Sequence, residues 1–183
     1  MARRVRILAL VTAAALAVGC GQGRAIFNVD VLSFIGGQGK DTVHYTIPGG
    51  NSGTVDNPPV KVTLLKGLGN STVDSVSLTV GADIENNTDS GKVKFQIFFS
   101  GSQAGVYTGT PYAQDSAIVI GLQTKSLNLG PIPIASDSIF GKDTIFVGVR
   151  VAVGAGTTAP TMDGKLRLSA IGLRIVLNDN IFH

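Results

Sequence analysis

Apolar and polar residues alternate with period two over most of the chain beyond Ile26. Val76, Leu78, Val80, Ala82 and Ile84 interleave with Ser75, Ser77, Thr79, Asp83 and Glu85. Such alternation predicts a strand with one face in a core and one in water. The turn-forming cluster Asn86-Asn87-Thr88-Asp89-Ser90-Gly91 follows, and then Val93, Phe95, Ile97 and Phe99 alternate with Lys92, Lys94 and Gln96. Read locally, the two runs predict an antiparallel hairpin. Near the C-terminus, Ile145 to Val153 alternates in the same way and pairs, in this reading, with Lys165 to Leu177. The second of these runs changes parity between Leu168 and Ile171, which requires a β-bulge around Ala170-Ile171-Gly172.

Shorter apolar runs fill the remainder. Phe27, Val29 and Val31 begin one strand, with a parity change toward Leu32 and Phe34. Val43-Tyr45-Ile47 and Val60-Val62-Leu64 give two more. Ala117 to Leu122 is apolar on both parities and predicts a central strand. Leu127 to Ile134 contains Pro131 and Pro133, and proline cannot donate to a ladder, so it predicts an edge strand or an extended connector. No helical stripe is found beyond the N-terminal segment. The fold class is all-β: a two-sheet antiparallel β-sandwich of immunoglobulin-like or jelly-roll topology.

The N-terminus breaks this pattern. Arg3, Arg4 and Arg6 precede an uncharged apolar run, Ile7 to Val18, and then Gly19 and Cys20. A basic start, a short apolar stretch and a small-residue site make an export signal, too short to span a bilayer of about 20 helical residues. Leu16-Ala17-Val18-Gly19-Cys20 resembles the lipobox of bacterial lipoproteins, with Ala17 where that family prefers Leu. The resemblance covers residues 1–20. It implies cleavage before Cys20, acylation of Cys20 and attachment to a membrane by fatty acyl chains. Gly21, in place of an Asp, leans the expected address to the outer membrane in a Gram-negative source. The expected organisation is a signal peptide over 1–19, a tether over 20–25 and one β-sandwich domain over 26–183. A tether this short holds the domain within about 20 Å of the bilayer.

Composition narrows the chemistry. The chain has 15 basic and 12 acidic residues, but three of the basic ones lie in the signal, so the remainder is balanced. That removes support for nucleic-acid binding, which needs a positive stripe. One Cys, two His and no Trp leave little for catalysis or metal binding, so no catalytic residue, metal ligand or cofactor is predicted. His44 falls on the polar parity of its strand, and His183 ends the sequence. Glu85 and Asp89 bracket a turn without the spacing of an EF-hand loop. Gly36 to Lys40 lacks P-loop spacing and reads as a turn. The loop Gly101 to Gln114 carries Tyr107 and Tyr112, candidate ligand-binding rings.

The preferred reading is a lipid-anchored structural or binding module of the cell envelope, its partner an envelope protein or a glycan. Two alternatives stay open. One is an exported carbohydrate-active or hydrolytic enzyme, which needs two carboxylates roughly 5–9.5 Å apart, drawn from Asp41, Asp56, Asp115, Asp137 and Asp143. The other is a small outer-membrane β-barrel.

Overall fold

A computed structural model describes residues 23–64, 70–134 and 137–180. Cys20, the lipobox-like segment and His183 lie outside the described residues. Among the described residues ten strands run in the order β1 (Gly23–Asp30), β2 (Thr42–Pro48), β3 (Ser52–Asp56), β4 (Val60–Thr63), β5 (Asn70–Asn86), β6 (Gly91–Ser100), β7 (Ala113–Val119), β8 (Gln123–Ile134), β9 (Thr144–Ala155) and β10 (Thr161–Asn180). A short helix α1 (Val31–Gly36) follows β1, and a 3₁₀ turn (Ser138–Gly141) precedes β9.

The strands form two five-stranded antiparallel sheets. The first has the order β1-β10-β5-β8, with β2 also pairing β10; the second has β3-β9-β6-β7, with β4 also pairing β9. Each pair of short strands shares one edge of a long strand. β2 lies along 161–167 of β10 and β1 along 172–179. Counting each split pair once leaves four strand positions per sheet. The chain then changes sheet at every connection except β6–β7, which is the double Greek-key pattern of a jelly roll rather than an immunoglobulin sandwich.

The apolar parity of both sheets faces inward. Leu78, Ile84, Phe95, Ile97, Ile145, Leu166 and Leu173 are buried in one continuous core. The sheets are open, and the outward parity of β5 carries Ser77, Thr79, Asp83 and Glu85. This overturns the β-barrel alternative, whose apolar parity would face lipid. Among the described residues no helix is long and apolar enough to cross a membrane.

Both predicted hairpins are corrected. β5 and β6 lie in different sheets, as do β9 and β10. The turn formers after β5 build a corner instead. Asn86 is buried, and its Nδ2 donates to the carbonyls of Thr88 (3.1 Å), Asp89 (2.6 Å) and Gly121 (2.6 Å). Thr88 Oγ1 bonds to the Thr161 carbonyl and accepts from the Asp163 amide. These bonds tie the corner to the start of β10 and to the β7–β8 turn. The carboxylate of Asp89 accepts from Thr158 Oγ1 and the Ser90 amide, which hold it below the usual carboxylate range.

The bulge in β10 is present, between Leu168 and Ala170. β8 is an edge strand, as its prolines require. The segment predicted as central is not: β7 is an edge strand, and Ile118, Ile120 and Leu122 are 63%, 72% and 85% exposed. The parity change predicted at Leu32 and Phe34 is α1. Asp30 caps it by accepting from the Ser33 amide at 3.3 Å, and Val31 and Ile35, one turn apart, are its buried residues.

Candidate functional site

The outer face of the first sheet carries a groove of about 610 Å³, within the range of small-molecule sites, about 300–1,000 Å³. Register fixes its plan. Asp30 of β1, Gly172 of β10 and Thr79 of β5 stand opposite one another; Asn28, Arg174 and Ser77 form the next outward row. Neighbouring strands lie about 4.8 Å apart, so these rows form a strip three strands wide. Ala170 and Gly172 line the floor, Pro131 of β8 one wall, and Leu32 of α1 the end next to β1.

The strip mixes polar types. Asn28 brings an amide, Ser77 and Thr79 hydroxyls, Asp30 a carboxylate and Arg174 a guanidinium. One Asp30 oxygen caps α1, and among the described residues no ion pair holds Arg174. Gly172 is the informative floor residue. Glycine inside a strand costs roughly 0.5–1 kcal/mol relative to Ala, and it commonly marks close approach of backbone or ligand. A Cβ at Gly172 would meet nothing within 4 Å, so no protein atom needs that space.

The two tyrosines singled out from the sequence are not brought to one site. Tyr107 lies on the outer face of the second sheet. Its hydroxyl donates to the carbonyls of Asn57 and Val149. Its ring stands edge-on to Phe98 at 5.3 Å, under the Arg150 guanidinium at 5.0 Å. Gly148 lies beneath, where a Cβ would run into Val106 and the Tyr107 ring. Tyr112 packs against Phe99 and Phe140 at 5.4 and 5.7 Å and donates to Asp137 Oδ2 at 2.8 Å. It lines a separate cavity of about 430 Å³ with Pro111 and Pro133. Burial pushes both phenols up to about 12, with nearby Asp56 and Asp137 adding to it.

The other candidates are dispersed. His44 is exposed beside Lys165. Glu85 faces outward in an ion pair with Lys165 at 2.9 Å, whereas Asp89 is buried in the corner. Among the described residues no three His, Cys, Asp or Glu cluster to hold a metal. Asp41 precedes β2, Asp56 ends β3, Asp115 lies in β7, and Asp137 and Asp143 flank the 3₁₀ turn. None of the five lines the groove, whose one carboxylate among the described residues is Asp30.

Sequence reasoning did not single out Asn28, Asp30, Ser77, Thr79, Gly172 and Arg174 as a set. Polar residues on an outward parity look the same over a groove or a flat surface. The one local signal was glycine in the middle of an otherwise well-formed strand.

No protein-family model and no curated protein matches the chain. Solved structures are similar to it at low identity. The structure of infectious bursal disease virus Gx strain has 14% identity and a TM-score of 0.34, covering 76% of this chain and 36% of that one. TmCBM61 in complex with β-1,4-galactotriose has 16% and 0.32, covering 83% and 86%. The family 11 carbohydrate-binding module from Clostridium thermocellum has 14% and 0.27, covering 84% and 95%. This chain therefore spans about a third of the viral chain it resembles.

Proposed function

We propose that this protein is a jelly-roll binding module that holds a neutral glycan in the groove of its first sheet and is tethered to the cell envelope by acylated Cys20. The observation that carries the binding half is the empty floor at Gly172, flanked within one strand on each side by Asp30 and Thr79. A sugar presents hydroxyls that both donate and accept. The strip answers with a carboxylate that accepts, a guanidinium that donates, and an amide and two hydroxyls that do both. One carboxylate in the groove supports binding rather than glycoside hydrolysis, which uses two. Among the described residues no aromatic ring lines the groove, so affinity rests on hydrogen bonds of about 1 kcal/mol net each, and dissociation constants of about 0.1–1 mM follow.

The test is equilibrium titration with cellotetraose, β-1,4-galactotetraose and N-acetylchitotetraose. The native protein is expected to bind at least one of them. A Cβ at Gly172 meets nothing within 4 Å, and the rest of a leucine extends into the groove, so Gly172→Leu should weaken that binding at least tenfold while leaving the unfolding midpoint unchanged or slightly raised. Absence of binding at about 10 mM of every sugar, or undiminished binding by the variant, would refute the reading.

The tether rests on the leader and the lipobox-like sequence ending at Cys20. Acyl chains contribute about 0.8 kcal/mol per buried methylene, and two or more make a stable anchor. Cys20→Ser should abolish incorporation of labelled palmitate in cells; retained labelling would remove the anchor.

A further inference from the structure

The second sheet carries a trough of different chemistry on its own outer face. Its outward residues fall in rows across β3, β9, β6 and β7: Ser52, Gly154, Lys92 and Ile118, then Thr54, Ala152, Lys94 and Ser116, then Asp56, Arg150, Gln96 and Gln114. In the third row the charges are matched, since Arg150 holds Asp56 through bonds of 2.6 and 2.8 Å. In the first two they are not. Lys92 and Lys94 stand two residues apart on one face, and among the described residues neither has a carboxylate partner. Of the described cations only Arg24, Arg150, Lys165 and Arg167 lie within 4.0 Å of a carboxylate. Two adjacent ammonium groups repel each other unless an anion lies between them.

The space beside them is open. Gly154 and Ala152 form the floor, Ser52 and Thr54 the far wall, and the cavity measures about 480 Å³. Next to Lys92 the surface turns apolar. Ile118 is 63% exposed, and Ile120 and Leu122 follow it in the turn after β7, more exposed still. A doubly basic trough with an apolar lip complements a molecule that is anionic at one end and hydrocarbon at the other.

We propose that this trough binds the anionic headgroup of a phospholipid, its phosphate between Lys92 and Lys94 and its acyl chain along Ile118 toward Ile120 and Leu122. The Ser52 and Thr54 hydroxyls supply further donors to the phosphate oxygens. The site lies on the opposite sheet from the glycan groove and does not depend on it.

The experiment titrates the full chain with dihexanoylphosphatidylglycerol below its micelle-forming concentration, and separately with dihexanoylphosphatidylcholine and inorganic phosphate. The anionic lipid should bind, moving the amide resonances of Lys92, Lys94 and Ile118. The zwitterionic lipid and free phosphate should bind at least tenfold more weakly. Lys92→Gln with Lys94→Gln keeps both stems and should weaken the anionic lipid about 30-fold; Ile118→Thr should weaken it about fourfold. Equal binding of the two lipids, or an unchanged affinity in the lysine variant, overturns the proposal. Free phosphate binding as tightly as the anionic lipid overturns its apolar half.

Discussion

Replacing Asn86 by Ala should lower the unfolding free energy by about 2–4 kcal/mol, a large loss for one polar residue. The reason lies in the corner where the chain leaves the first sheet for the second. Asn86 is 1% exposed, and its Nδ2 serves the carbonyls of Thr88, Asp89 and Gly121 together. Removing it leaves one buried and two half-buried carbonyls without this donor, and a buried acceptor left unpaired costs about 1–3 kcal/mol. The effect also spreads, because the Gly121 bond joins the β5–β6 corner to the β7–β8 turn. Neighbouring Asn87 is the control. It is exposed and makes one side-chain bond, to Asp163 at 3.1 Å, so Asn87→Ala should stay within about 0.5 kcal/mol. Urea unfolding of the two variants checks this. Equal small losses would show that the corner is not held by Asn86.

The second large effect is expected at Phe140. This ring of the 3₁₀ turn is 2% exposed and meets Phe99 and Tyr112 edge-on at 5.6 and 5.7 Å. Phe140→Ala should cost about 3–5 kcal/mol, from lost burial and the cavity left behind. A second readout separates this from general loosening. In the intact protein burial, then the Asp137 carboxylate, push the Tyr112 phenol up to about 12. The folded state therefore holds its proton more tightly than the unfolded chain, whose tyrosines titrate near 10. The sign follows: the stability linked to the neutral phenol is complete below pH 10 and is lost as pH rises from 10 to 12. Tyr45 and Tyr107 are raised in the same way. In Phe140→Ala the Tyr112 phenol should titrate nearer 10 while the other two stay high. Ultraviolet titration reads this directly, and three unmoved phenols would place Phe140 outside the packing around Tyr112.

Much of the architecture was written in the parity of the chain. The alternation of β5, the bulge in β10 and the exposed position of His44 follow from one rule about which side of a strand meets water, and the edge position of β8 follows from prolines that cannot donate to a ladder. What parity leaves open is the partner. It assigns each residue a face, and both faces of a hairpin and both layers of a sandwich satisfy it equally. Hence β5 and β6, adjacent in sequence and matched in pattern, read as a hairpin although a buried asparagine turns the chain between sheets. Ala117 to Leu122 failed for a related reason. Apolar residues on both parities signal two buried faces, yet at the rim of β7 Ile118, Ile120 and Leu122 stand in solvent. The helix at Val31 was concealed by its length, since six residues, less than two turns, are too few to display a period of 3.6. The groove depended on tertiary placement altogether: Asn28, Ser77 and Arg174 come from three strands far apart in sequence and become neighbours only through register.

The binding reading is tested most directly by following backbone amide resonances of the native protein through the oligosaccharide titration. It predicts that the largest shifts fall on Asn28, Asp30, Ser77, Thr79, Gly172 and Arg174 and saturate together. Shifts centred on Tyr107 and Tyr112, on the second sheet, or on no residue at all would contradict it.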